Sequence, residues 1–336
     1  MAVVRLKDVA ARASVSIKTV SNVVNGYEHV SEAVRTRVER AIAELGYRPN
    51  LSARSLRAGR SGVIALAVPE LSEYFAELAS LIQRAAEEEG FTLLIDQTAG
   101  NAGRERQVLE GIRAHLVDGL IFSPLALGAK DIAARQDTTP LVLLGERVFG
   151  GPADHVAIDN VAAAEEVVTH LLELGKSRIA TIGSRPHRLS PARFRLDGYR
   201  RALRRAGLAL RPELVVRVER WHRQDGADAT RRLLEGGVDF DAIFAFNDWL
   251  AIGALHTLHK ARVAVPGEVA VVGFDDIEAG KFVDPELTTI APDKDKIASL
   301  AVRQLLARID GTSASAPLET VVSHRLVVRS SSKPRR

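Results

Sequence analysis

Between Gly62 and Ile309 the sequence alternates short apolar runs with longer amphipathic stretches, and this alternation restricts the possible folds most strongly. Strands that alternate with helices along the chain are typical of parallel sheets covered by helices on both faces. Apolar residues at helical spacing predict one such helix from Phe75 to Glu89. Because about 250 residues exceed what one such sheet usually holds, we expect two lobes. The runs that predict buried strands are VIALAV (63–68), TLLID (92–96), GLIFS (119–123), LVLL (141–144), IATIG (179–183), AIFAF (242–246) and VAVVGFD (269–275).

The first 46 residues carry a different pattern, which predicts three short helices. One apolar stripe at helical spacing runs from Leu6 to Ala13 and a second from Val20 to Val24, with residues 14–16 between them. Ser16 is placed to cap the second helix. Two helices joined in this way form a helix-turn-helix, whose second helix can present an outward face to base edges in a DNA major groove. A third helix, between residues 31 and 46, completes a small core.

Positive charge is concentrated at the N-terminus. Residues 1–60 contain 11 Lys or Arg and 5 Asp or Glu, whereas residues 61–329 contain 32 basic and 37 acidic side chains. A basic module of this kind is the pattern expected for phosphate contacts with DNA. Residues 50–60 are nearly helical but too short to form a stable helix alone, so we expect them to fold only against a partner.

Composition excludes several other kinds of protein. The chain has no cysteine, so disulfides and thiolate-bound metals do not arise. The N-terminus lacks the apolar run of a signal peptide, and no run of about 18 apolar residues could cross a bilayer. We therefore expect a cytoplasmic protein that has no membrane partner and needs no cofactor.

The sequence carries no convincing catalytic or metal motif. Gly175, Lys176 and Ser177 are similar to the end of a phosphate-binding loop, but the earlier glycine that such a loop needs is replaced by His170. Two histidines three residues apart, at 256 and 259, lack a third ligand nearby. We therefore predict that the protein is not an enzyme, with no catalytic and no metal-binding residues.

Nearly the whole chain resembles the LacI family of bacterial transcription regulators. The resemblance rests on residues 5–56 and on motifs that follow in the family's order: VDGLIFSP (117–124), HVAIDN (155–160), HLLELGKSRIATIG (170–183), RLDGYRRAL (195–203), FNDWLAIGAL (246–255), VPGEVAVVGFDDIE (265–278) and PELTTI (285–290). It implies an α/β fold class with an all-α helix-turn-helix headpiece, a hinge helix, and a two-lobed core of parallel sheets like that of periplasmic sugar-binding proteins.

The resemblance also implies domain boundaries. The headpiece is expected at 1–48, a hinge helix and linker at 49–60, the effector-binding core at 61–329 and a basic tail at 330–336. In this family the chain crosses between the lobes three times. The expected boundaries are about 61–160 and 290–320 for lobe one, and about 161–289 and 321–329 for lobe two.

Residues of the headpiece and hinge match the family's DNA contacts. Many family members carry arginine where this chain has Asn22, whose amide could pair with an adenine edge, so the preferred operator is expected to differ from common family sites. The hinge leucine that enters the minor groove at the operator centre corresponds to Leu56, with Ala53 one turn before it. The resemblance implies base contacts from Ile17, Lys18 and Asn22, and phosphate or helix-orienting contacts from Thr19, Ser21, Asn25 and Tyr47.

A ligand site is expected where strands end. Asn247, Asp275 and Arg195 each follow a predicted strand, and an amide, a carboxylate and a guanidinium together could bind several hydroxyls. Family members use matching residues for sugar hydroxyls. Aromatic walls are expected from Tyr74, Phe75 and Trp221, for which ordinary core packing is an equal alternative. Weaker candidates are Gln97, Arg147 and Asp248, and the basic segment SRPHRLSPARFR (184–195) leaves an anionic effector as a second possibility.

These observations predict a sequence-specific DNA-binding regulator, most often a repressor in this family, whose operator affinity depends on a small molecule such as a sugar or sugar derivative. Whether the molecule releases DNA or strengthens binding stays open. The C-terminus lacks the leucine heptads of tetrameric members, so we expect a homodimer that reads a pseudo-palindrome in double-stranded operator DNA. The alternative is a periplasmic-type sugar-binding protein, which would need a signal peptide and no headpiece.

Replacing Leu56 with alanine removes the expected wedge between base pairs. We predict that Leu56→Ala weakens operator binding with little change in affinity for the small molecule, because the wedge allows the kinked DNA to contact more protein surface. A DNA titration compared with a ligand titration on the same preparation checks this, and unchanged DNA affinity would contradict the wedge assignment.

Overall fold

The computed structural model describes residues 4–24, 27, 29–47, 60–111, 116–185, 190–313 and 316–333. The chain forms two compact units that divide after Gly62. Of the residues expected to contact DNA, Asn25, Ala53 and Leu56 lie outside the described residues, as does most of the hinge segment 49–60. Their predicted roles stay predictions.

The first unit contains the three helices that the sequence predicts. Val9, Val20 and Val38 are completely buried where the helices meet. The hydroxyl oxygen of Ser16 accepts the Thr19 N–H at 3.0 Å, which caps the second helix as expected. The helices are α1 (Leu6–Ala13), α2 (Ile17–Val24) and α3 (Glu32–Leu45).

The second unit contains the strands of two sheets. Every apolar run that predicted a strand forms one, with ends that differ by two residues or fewer from the prediction. The strands are β1 (Val63–Val68), β2 (Thr92–Gln97), β3 (Gly119–Phe122), β4 (Leu141–Leu144), β5 (Asp154–Ile158), β6 (Ile179–Ser184), β7 (Val215–Arg217), β8 (Ala242–Ala245), β9 (Ala270–Phe274), β10 (Thr288–Pro292), β11 (Glu319–Val322) and β12 (His324–Val327).

Helices cover both sheets. Among the described residues, no helix is both long enough and apolar enough to cross a membrane. The helices of this unit are α4 (Glu73–Glu88), α5 (Ala102–Leu109), α6 (Ala129–Ala133), α7 (Asn160–Glu173), α8 (Pro191–Arg205), α9 (Arg223–Glu235), α10 (Asp248–Lys260) and α11 (Lys294–Ile309), with short 3-10 turns at Pro212–Leu214 and Glu278–Lys281.

The two six-stranded sheets define two lobes. The strand order is β11-β5-β4-β3-β1-β2 in lobe one and β12-β10-β9-β8-β6-β7 in lobe two. All neighbours are parallel except β10 and β12, which are antiparallel. The chain passes between the sheets three times, after β5, after β10 and after β11. Since parallel strands place their following loops at one edge, each lobe presents a row of loops at its carboxyl edge.

Two of the expected lobe boundaries are wrong by a few residues. Strand β10 pairs with β9 from Thr288 onward, so it lies wholly in lobe two, whereas the expected boundary at 290 cuts through it. Strand β11 pairs with β5 through Val322, so it lies wholly in lobe one, whereas the expected boundary at 320 divides it. The pairing register, which the apolar pattern does not contain, decides both positions.

The expected basic tail at 330–336 is also wrong for its first four residues, which belong to lobe two. Ser331 is completely buried. Its hydroxyl donates to the Val271 carbonyl at 2.6 Å and accepts the Thr288 N–H at 2.8 Å. The Ser332 hydroxyl lies 2.8 Å from that of Thr288. These contacts satisfy backbone groups at the amino ends of β9 and β10, which would otherwise be buried without partners.

Helices α9 and α10 approach until their backbones touch. A Cβ atom at Gly253 would lie 1.9 Å from the Arg223 carbonyl oxygen, and one at Gly226 would lie 2.1 Å from that of Leu250. No side chain fits at either position. The contact therefore fixes where α9 begins, and with it the segment just before Arg223.

Replacing Gly253 with alanine should force these two helices apart. We predict that Gly253→Ala lowers the free energy of unfolding by about 1–3 kcal/mol, as overpacking does in other cores. Urea denaturation measures this. Gly128→Ala is the matched control, because a Cβ at Gly128 would meet nothing within 4 Å. Equal stability of the two variants would contradict the predicted clash.

Candidate functional site

A cavity of about 460 Å³ lies where the carboxyl edges of the two sheets face each other. Its walls come from the loops that follow β1, β3 and β4 of lobe one and β6, β8 and β9 of lobe two. The six residues predicted to bind an effector all line it: Tyr74, Phe75, Arg195, Trp221, Asn247 and Asp275. We call this space the effector cavity. Their role in binding stays a prediction.

Arg195, at the start of α8, is 5% exposed, and protein groups face all three of its nitrogens. Its Nε donates to Asn160 Oδ1 at 2.7 Å, and Nη1 donates to the Phe246 carbonyl. Nη2 lies 4.0 Å from Asp275 Oδ1. The guanidinium carbon sits 3.5 Å from the Phe274 ring centroid. Arg195 therefore connects three segments of the cavity wall in addition to facing the cavity.

Asp275 follows β9 in an unusual backbone conformation. Its φ is 113° and that of Asp276 is 47°, both in the region that favours glycine. Burial raises the pKa of Asp275 to about 7, although the cations of Arg195 and Lys294 oppose the rise. When ionised, this carboxylate can accept hydrogen bonds from ligand hydroxyls.

Asp248, a weaker candidate from the sequence, lies behind the cavity wall and is 1% exposed. One of its oxygens accepts the Thr289 hydroxyl at 2.6 Å and the other accepts the Ile277 N–H at 2.9 Å. Burial raises the pKa of Asp248, and the nearby Asp275 raises it further. Asp248 therefore holds the turn that carries Asp275.

The amide of Asn247 already has two protein partners. Its oxygen accepts the Leu250 N–H at 2.9 Å and so caps α10, while its nitrogen donates to the Trp221 carbonyl at 3.0 Å. The indole nitrogen of Trp221 donates to the Gly183 carbonyl at 3.0 Å. Asn247 thus positions Trp221 and keeps one amide hydrogen for a ligand.

Lobe one supplies an aromatic wall. The rings of Tyr74 and Phe75 meet edge to face with centroids 5.2 Å apart. The ammonium of Lys294 lies 5.7 Å from the Tyr74 ring centroid. Burial raises the pKa of the Tyr74 hydroxyl above its ordinary value, so the phenol stays neutral at physiological pH.

Two weaker candidates line the cavity as well, Gln97 and Arg147. The Arg147 guanidinium donates to the carbonyls of Leu127 at 3.2 Å and Ala126 at 3.0 Å. The same loop is held from beneath by Glu105, which is completely buried and accepts the backbone N–H groups of residues 125–127. Sequence patterns gave no signal for Glu105, since a carboxylate on a surface-type helix is ordinarily solvated.

Two ion pairs across the cavity mouth were also not predicted. His222 Nε2 lies 3.4 Å from Glu70 Oε2, and Arg223 pairs with Glu73. The two acids follow β1 in lobe one, and the two basic residues begin α9 in lobe two. Their juxtaposition arises only when the lobes pack together, so no local sequence pattern indicates it.

The face of α2 that the sequence predicts to point outward is accessible to solvent. Ile17 is 49% exposed, Lys18 is exposed, and Thr19, Ser21 and Asn22 are partly exposed. Tyr47, expected at a phosphate, is 6% exposed and packs in the core of the headpiece. This burial leaves little of Tyr47 accessible to a phosphate. The DNA contacts themselves stay predictions.

The histidine pair at 256 and 259 is exposed on α10. Across the part of the chain that the structure describes, no three acidic or histidine side chains come together as metal ligands would.

The raised pKa of Asp275 predicts a pH-dependent stability. In an unfolded chain this carboxyl has a pKa of about 3.9, against about 7 when folded. Between those values the folded protein binds more protons, so the stabilisation is complete below about pH 4 and is lost as the pH rises through about 7. Relative to Asp275→Asn, the wild type should therefore lose about 2–3 kcal/mol of unfolding free energy from pH 5 to 8.

Urea denaturation across this pH range measures the difference. Groups distant from Asp275 titrate alike in both proteins, whereas the pKa of Asp248 is lowered in Asp275→Asn by loss of the neighbouring charge. Asp239→Asn is the control, because the Asp239 side chain is 68% exposed and its curve should parallel that of the wild type. If the Asp275→Asn curve also runs parallel, burial does not perturb Asp275 as described.

Two family models match separate parts of the chain. Residues 5–50 match the family described as bacterial regulatory proteins, lacI family. Residues 168–332 match a periplasmic binding protein-like domain.

Relatives match over most of the chain. The ribose operon repressor of Escherichia coli (strain K12) is 36% identical over 90% of this chain and 92% of its own length. The HTH-type transcriptional repressor CytR of the same strain is 31% identical, over 98% of this chain and 96% of its own.

Two solved structures also match nearly the whole chain. A Lac repressor dimer bound to operator and the anti-inducer ONPF is 28% identical with a TM-score of 0.85, covering 98% of this chain and 99% of that one. A CelR-cellobiose complex is 32% identical with a TM-score of 0.72 and the same coverage. A helix-turn-helix unit and a two-lobed core in one chain, each matched over its length by known repressors, make this protein a member of the LacI family of bacterial transcription regulators.

Proposed function

We propose that this protein is a transcriptional repressor whose affinity for operator DNA is controlled by a sugar or sugar derivative bound in the effector cavity. The observation that carries the proposal is the convergence of six residues, selected from the sequence alone, on one cavity of about 460 Å³. Volumes of roughly 300–1,000 Å³ are typical of small-molecule sites.

The chemistry of the cavity suits a carbohydrate. Trp221, Tyr74 and Phe75 offer flat apolar faces, while Asp275 and Arg195 offer a charged acceptor and charged donors for hydroxyls. Two relatives support a carbohydrate as the ligand class, since one is named a ribose operon repressor and another was solved with cellobiose.

A change in the relative angle of the lobes would connect ligand binding to DNA binding. A ligand that contacts Arg195 and Asp275 of lobe two and Tyr74 of lobe one favours one relative angle of the lobes over others. That angle sets the spacing of the two hinge segments in a dimer, and therefore whether they can fold together on DNA. The ion pairs at the cavity mouth, Glu70 with His222 and Glu73 with Arg223, would be made or broken by the same motion.

A homodimer acting in the cytoplasm completes the proposal. Phe282 is 79% exposed on lobe two, which is unusual for so large an apolar side chain and suits an interface with a second copy. The Lac repressor relative was solved as a dimer on its operator. Two-fold symmetry would match a pseudo-palindromic site. The named relatives are regulators, and we propose a regulatory rather than a catalytic role here too.

Two titrations on the same protein test the function. A thermal-shift screen of sugars finds ligands of the folded state, and fluorescence anisotropy with DNA selected from a random pool measures operator affinity. We expect that a ligand which raises the Tm also changes operator affinity, and that DNA changes the ligand's affinity by the same factor.

Asp275→Asn is the informative variant, because it should bind the operator normally and lose the response to the ligand. Its matched control, Asp239→Asn, should keep both properties. A cavity ligand that leaves operator affinity unchanged would contradict the proposed coupling, and failure to select any DNA sequence would contradict the proposed function.

A further inference from the structure

Arg185 is a second cation of the effector cavity, and unlike Arg195 it has no hydrogen-bond acceptor or carboxylate partner among the described residues. It directly follows the last residue of β6 and lines the cavity. Its guanidinium carbon lies 5.1 Å from the centroid of the Trp221 ring. Trp221 is itself held by its hydrogen bond to Gly183, so the stacked guanidinium rests on a fixed surface.

The buried Nε of Arg185 has no hydrogen-bond acceptor within the described part of the chain. No ion pair joins Arg185 to a carboxylate among those residues either, whereas the nearby Arg223 pairs with Glu73. Arg195 has every nitrogen facing a protein acceptor. Within the described residues, Arg185 is therefore a forked donor without a protein acceptor.

A half-buried guanidinium without an acceptor is energetically unfavourable. Burial lowers the pKa of the Arg185 guanidinium, and the more distant carboxylates of Glu70 and Asp225 only oppose that shift. Glu70 also shares its charge with His222. A cation that has lost water without gaining an acceptor is destabilising, and a bidentate carboxylate or phosphate would compensate it.

The remaining charges of the cavity do not create a general anion-attracting field. Arg147 donates to two carbonyls, Arg220 is exposed at the rim, and the acids Glu146 and Glu219 balance them. Attraction of an anion therefore depends on the local geometry at Arg185 rather than on net charge.

One ligand in the effector cavity can contact both Arg185 and Arg195. Arg195 lies 5.3 Å from the same Trp221 ring, and its Nη2 is 4.0 Å from Asp275. We infer that the effector is an anionic sugar derivative, whose carboxylate or phosphate binds Arg185 while its hydroxyls bind Asp275 and Arg195. The inference rests on the proposed function, because it names the class of ligand that this same cavity takes.

Matched neutral and anionic sugars test the inference on the full-length protein. The pairs are D-ribose with D-ribose 5-phosphate, and D-glucose with both D-glucose 6-phosphate and D-gluconate, so that the phosphate and carboxylate arms are separate. Calorimetric titration at constant ionic strength should show at least one anionic member binding about tenfold or more tightly than its neutral parent. Inorganic phosphate alone should bind more weakly than that member, because it lacks the hydroxyls.

Arg185→Gln should abolish this preference, so that the ratio of the affinities for the anionic member and its neutral parent falls to about one. Arg220→Gln is the control, since it removes an equal charge from the exposed rim and should keep the preference. The Tm of ligand-free Arg185→Gln should equal or exceed that of the wild type, because the substitution removes a half-buried charge that has no carboxylate partner among the described residues. This measurement also shows that the variant folds.

The inference is overturned if no anionic member binds more tightly than its parent, or if Arg185→Gln retains the preference. These outcomes differ from a failure of the proposed function. An anionic sugar that binds through Arg185 without altering operator affinity supports the ligand class and contradicts the regulatory role. A neutral sugar that binds best and alters operator affinity supports the regulatory role and overturns the inference.

Discussion

The buried guanidinium of Arg195 is the interaction on which the geometry of the cavity depends. Its Nε donates to Asn160, the first residue of α7, its Nη1 donates to the carbonyl of Phe246, which directly follows β8, and its Nη2 lies 4.0 Å from the carboxylate of Asp275. Without this cation two buried acceptors would lose their donor, and the pKa of Asp275 would rise further because the opposing positive charge is gone. The Asp275 carboxylate at the cavity and the start of α7 are thus held by a single side chain.

Local sequence patterns were sufficient for the architecture and for the position of the cavity. The helix-turn-helix and the strands were predictable because apolar periodicity is a property of a few consecutive residues. The six cavity residues were predictable as a group for a different reason. Arg195, Asn247 and Asp275 follow parallel strands, and the ends of parallel strands share one edge of a sheet whatever the strand order. The resemblance to a known family then indicated the residues of lobe one that face them.

The residues that hold the cavity in shape could not be found in this way. Glu105 and Asp248 are buried carboxylates whose partners are backbone groups elsewhere in the fold, and nothing in their flanking sequence distinguishes them from solvated acids. Asn247 was expected to face a ligand, but most of its amide is used to cap α10 and to hold Trp221. Strand β10 was assigned partly to the wrong lobe because pairing register depends on contacts distant in sequence.

The order in which the strands occur along the chain also has a consequence for how the protein is made. Strand β11 completes the sheet of lobe one at residue 322, and β12 with Ser331 completes lobe two. A nascent chain therefore contains the helix-turn-helix before either sheet is complete, because both sheets need strands that begin at residue 319 or later. A product of interrupted translation that ends before β11 therefore contains the helix-turn-helix without a complete two-sheet core.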